Sequence, residues 1–136
     1  MFKKDYIERM ATQIAKMIAE LLGYDTSERL EYVQEFLESM LDGDTSLVET
    51  LEGDALIQYL SEEKGLQLTE IELMGNLLHQ RGKTQMEMDH LALAKPSFQK
   101  ALTLVEHADE QMDIFSLERR ALIQELIELI RTNPSC

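Results

Sequence analysis

Between Thr69 and Asp109 the apolar residues fall three and four apart on either side of one polar break, and this pattern limits the fold more than any other feature of the chain. Ile71, Met74, Leu77 and Leu78 make the first run, and Leu91, Ala94, Phe98, Ala101, Val105 and Ala108 make the second. Spacing of this kind gathers apolar side chains onto one face of a helix. Two such helices folded back on one another bury both faces.

The local signals refine the boundaries. Thr69 followed by Glu72 reads as a capping box, with Leu68 packing on Leu73 as a staple. Gly82 reads as the stop of the first arm, because the residue past a helix end often adopts a left-handed conformation that Gly reaches at little cost. The second stripe runs through Pro96, which predicts either a kinked helix or one restarting at Pro96, the unbroken register favouring the kink. Ala108 to Ile114 is polar and reads as a loop; Ser116 then caps a last helix carrying Leu122, Ile123, Leu126, Leu129 and Ile130.

With these residues laid out, the pair resembles one tetratricopeptide repeat, whose pattern is W-x2-L-G-x2-Y, then A-x3-F, then P. Ile71, Met74-Gly75 and Leu78 stand at the first set of positions, and Ala94 and Phe98 at the second, with Ala101 beyond. Gly75 suits the pattern because a small residue lets the second helix approach closely. Ile71, Leu78 and Glu106 replace the Trp, Tyr and closing Pro, and the second arm comes about two helical turns late, which returns its stripe to nearly the same face. In such repeats the first helix lines the ligand groove, so the resemblance assigns partner binding to the polar stripe Glu72, Asn76, His79 and Lys83, with Thr69 at its head. From its opening MFKKDYIERM to FSLERR near its end, the chain also resembles a family of short uncharacterised bacterial proteins, a resemblance that implies a fold and no activity.

Upstream, Ile7, Met10, Ile14, Met17 and Leu21 form an apolar stripe on a first helix from Phe2 to Leu22, ended by Gly23. A stripe that wide is buried, either inside the chain's own bundle or against a second copy of it. Asp25 to Leu41 makes the second helix, with Leu30, Val33, Leu37 and Met40 inward. Glu28, Glu31, Glu35 and Glu38, followed by Asp42, line its other side. Asp54 caps a short helix with Leu56, Ile57 and Leu60, ended by Gly65.

Charge is distributed unevenly. Of the formal −13, a net −12 lies between Glu20 and Glu63, where Arg29 is the single base. Phosphate binding needs clustered Lys and Arg, so the asymmetry disfavours nucleic acid as a direct partner and favours a basic protein surface, long-range steering or simply solubility. A single Cys136 gives no internal disulfide. The charged residues within the first helix break any secretory or membrane-spanning run, so the expected compartment is the cytoplasm.

Chemistry is thin. Glu87 and His90 have metal-ligand spacing, but di-iron bundles need a second such pair, and His79 and His107 have Asn76 and Leu104 in the upstream positions. No glycine-rich phosphate loop or nucleophile motif is present, and no cofactor is expected. The expectation is therefore an all-α bundle of about six helices over residues 1–131 with a frayed tail at 132–136, containing one tetratricopeptide-like hairpin. It acts as a non-catalytic interaction protein with self-association as an option; the alternatives are an acidic decoy for a basic surface and a small carboxylate-metal enzyme.

Overall fold

Asp25 starts the first well-bounded helix as the sequence indicates. Its carboxylate accepts from the Glu28 amide at 2.9 Å while the Glu28 carboxylate accepts from the Asp25 amide at 3.1 Å, a complete capping box. The computed structural model describes residues 12, 16–20 and 23–132. Within them the helices are α1 (Thr26–Met40), α2 (Ser46–Thr50), α3 (Gly53–Gln58), α4 (Leu68–Glu87), α5 (Leu91–Gln111) and α6 (Leu117–Thr132), with a wide π turn, Tyr59–Glu63, continuing α3. Residues 16–20 are also helical, and no strand occurs among the described residues. The fold is an all-α bundle.

The core is aliphatic. Val33 and Leu37 of α1, Leu56 of α3, Ile71, Met74, Leu77 and Leu78 of α4, Phe98, Leu104 and Val105 of α5, and Ile123 and Leu126 of α6 are all buried together. Met17, the one described member of the first stripe, is buried in this same core. Ile7, Met10, Ile14 and Leu21 lie outside the described residues; of the tail expected at 132–136, Thr132 is the last residue of α6 and 133–136 lie outside them.

Helices α4 and α5 form the hairpin, and glycine sets how closely they approach. A Cβ on Gly75 would lie 2.7 Å from Val105 Cγ2, and one on Gly82 would lie 2.5 Å from Phe98 Cε1. In each pair the residue numbers have the same sum, which is the signature of antiparallel helices. Gly82 is therefore not a stop: it is buried inside α4 beneath the Phe98 ring. The helix ends instead at Met88, followed by Asp89 in the left-handed region (φ 64°), with the His90 amide donating to the Gln85 carbonyl at 2.8 Å.

Three further boundaries differ from expectation. Helix α4 begins at Leu68, where the Glu70 carboxylate accepts from the Gln67 amide at 2.9 Å; Thr69 lies inside the first turn, buried, its hydroxyl without a partner. Helix α5 starts before Pro96 and runs through it to Gln111, so Ala108 belongs to the helix and not to a loop. Proline in the sixth position forfeits one bond near the helix start, and the buried residues Phe98, Ala101 and Leu104 beyond it hold the register. Helix α3 begins at Gly53 (φ 56°), so Asp54 sits in its first turn.

Small polar networks tie the shorter elements to the hairpin. Arg81 of α4 donates from both guanidinium ends to the Glu49 carboxylate of α2 (2.7 and 3.1 Å) and from Nε to Ser97 Oγ of α5 (2.9 Å). The fully buried Ser97 hydroxyl donates in turn to Gln85 Oε1 at 2.7 Å. A planar fork reading a carboxylate bidentately fixes orientation as well as contact.

Candidate functional site

The turn between α5 and α6 is the place where the chain's apolar patterning breaks its own rule. Ile114, Phe115 and Leu117 stand within four residues, yet they are 38%, 70% and 72% exposed. Single exposed apolar side chains are ordinary; three large ones on one short turn form an apolar knob on the surface.

The backbone that carries them is clamped from beneath by Arg119, which is 4% exposed. Its Nη2 donates to the Ile114 carbonyl at 2.6 Å, its Nε to Asp109 Oδ1 of α5 at 3.0 Å, and its Nη1 to Glu72 Oε1 of α4 at 3.4 Å. Arg120 donates to the other Asp109 oxygen at 2.8 Å. Ser116 Oγ accepts from the Arg119 amide at 3.1 Å, which starts α6 as the sequence indicates. One guanidinium thus joins two helices to the turn, and the knob of Ile114, Phe115 and Leu117 is presented on a rigid base.

The electrostatics of this clamp follow from burial. Desolvation pushes the Glu72 carboxyl above its ordinary value, and Arg119 only partly opposes it. Burial acts in the same direction on Asp109, but hydrogen bonds from Arg120 and Arg119 prevail and hold its carboxyl below the usual range. Around the knob Glu110, Asp113 and Glu118 are exposed beside one exposed base, Arg120, so its rim carries more acid than base.

The polar stripe on α4 is not an open groove. Asn76 and His79 are buried, Glu72 is held by Arg119, and α6 reaches over the same side: His79 Nε2 lies 2.7 Å from Glu125 Oε2, with Lys83 Nζ at 3.8 Å from the same oxygen. The Asn76 amide donates to the Glu72 carbonyl of its own helix at 3.0 Å. Of the stripe residues Glu72, Asn76, His79 and Lys83, Lys83 alone is exposed.

His79 carries a pH signature. Burial lowers its pKa below 6.5, and the contact with Glu125 only partly compensates, so a neutral ring donating from Nε2 suits the geometry. A depressed histidine contributes stability that is complete above the unfolded-state value and is lost as pH falls through the folded one. Stability of the native chain is therefore expected to drop as pH falls below about 6.5, and His79→Gln is expected to remove that part of the slope; denaturant melts at several pH values between neutrality and mild acid check this.

No family model matches the chain, and no curated protein or solved structure matches it either. What the site can do thus rests on its own geometry. Glu28, Glu31, Glu35, Glu38 and Asp42 are exposed along α1, and none forms an ion pair among the described residues; Arg29, the single base of that region, is spent on Glu87 at 3.0 Å. Among the described residues, Glu87 and His90 included, no group of three or more His, Cys, Asp or Glu side chains is placed to hold an ion. No helix among them is long and apolar enough to cross a membrane.

The sequence reading missed Ile114, Phe115, Leu117 and Arg119. A usable signal existed: these apolar residues flank the cap Ser116 and stand off the Leu122–Leu126 stripe, so no helical register could bury them all.

Proposed function

We propose that this chain is a non-catalytic interaction protein, built on a tetratricopeptide-like hairpin, that binds a basic partner protein through the Phe115 knob. The observation that carries the reading is the pairing of extreme exposure at Phe115 and Leu117 with the buried Arg119 clamp directly below them. A turn held in place loses little entropy on docking, which is the physical value of such a clamp. Aromatic anchors entering an apolar pocket dominate the energetics of most protein interfaces.

The sign of the partner follows from charge. The rim carboxylates, the row on α1 and the formal −13 favour encounter with a basic surface and oppose pairing of two identical copies at low salt. A cytoplasmic setting belongs to this proposal. The acidic decoy is the same surface chemistry with a narrower target and would depend on Glu28 to Asp42 more than on Phe115.

Phe115→Ser with Leu117→Ser is expected to leave folding stability within about 0.5 kcal/mol, since both side chains are mostly in solvent. Affinity for the partner is expected to fall at least tenfold, read by titration of the purified partner into each form. Unchanged affinity in the folded double variant overturns the proposal.

A further inference from the structure

We draw no further inference here: the strongest candidate, the open cavity of about 430 Å³ between α5, the start of α3 and the end of α6, has Pro96, Leu102 and Ile130 as its apolar wall, and nothing in the structure shows what covers it.

Discussion

Arg119→Met is expected to destabilise the fold by about 3–5 kcal/mol, the usual cost of leaving buried charges without their partner. Asp109 and Glu72 have side chains only 13% and 17% exposed, and both lean on this guanidinium. Methionine fills much of the volume but supplies no donors, so the loss is electrostatic and not a cavity effect. A melt should shift down by about 10 °C or more at this chain length. The cause can be separated from the size of the effect: Asp109 keeps its bond from Arg120, so adding Glu72→Gln to the same chain removes the stranded charge and should recover a large part of the loss. The turn provides a second readout. Without a donor for the Ile114 carbonyl, cleavage by chymotrypsin after Phe115 should accelerate well before global unfolding.

Gly82→Ala gives the second large effect, and its sign is diagnostic. In an ordinary helix interior this change stabilises by about 1 kcal/mol. Here the new Cβ would sit 2.5 Å from the Phe98 ring, and that ring is fully buried and has nowhere to move. The expected result is a loss of about 2 kcal/mol, in the range for overpacked cores. Combining Gly82→Ala with Phe98→Leu should cost less than the two changes made separately, because the smaller side chain opens the space that the methyl needs. Chemical denaturation of the four chains in that cycle measures the coupling. A stabilised Gly82→Ala would mean that the helices do not meet as described.

These two residues also show where the sequence was legible and where it was not. The stripes from Ile71 to Leu78 and from Leu91 to Ala108 specify two helices because burial enforces the period, and the helix expected from Asp25 starts there, where a capping box forms with Glu28. Gly82 misled because glycine has two uses, a left-handed turn and a close approach, and nothing local distinguishes them; the turn went to Asp89. Thr69 misled in the same way, since Gln67 and Glu70 offered a start two residues earlier. The α4 polar stripe was readable as a stripe, but not its cover, because the contact of His79 with Glu125 spans 46 residues.

The candidate surface was half legible. Exposure of the acidic row follows from its spacing against the Val33 and Leu37 face, and the structure places those carboxylates in solvent. Whether they steer a partner is a matter of salt dependence, and the proposed interaction should weaken as salt rises. The Phe115 knob needed the fold, since only the burial of Arg119 distinguishes a presented turn from a loose one.

The most direct test places a photo-crosslinking amino acid at position 115 in the native cells, with the same group at exposed Gln124 of α6 as control. The proposed account predicts a discrete adduct to one basic protein at position 115 that is absent at position 124 and fades at high salt. Identical patterns at the two positions, or adducts only between copies of this chain, would contradict it.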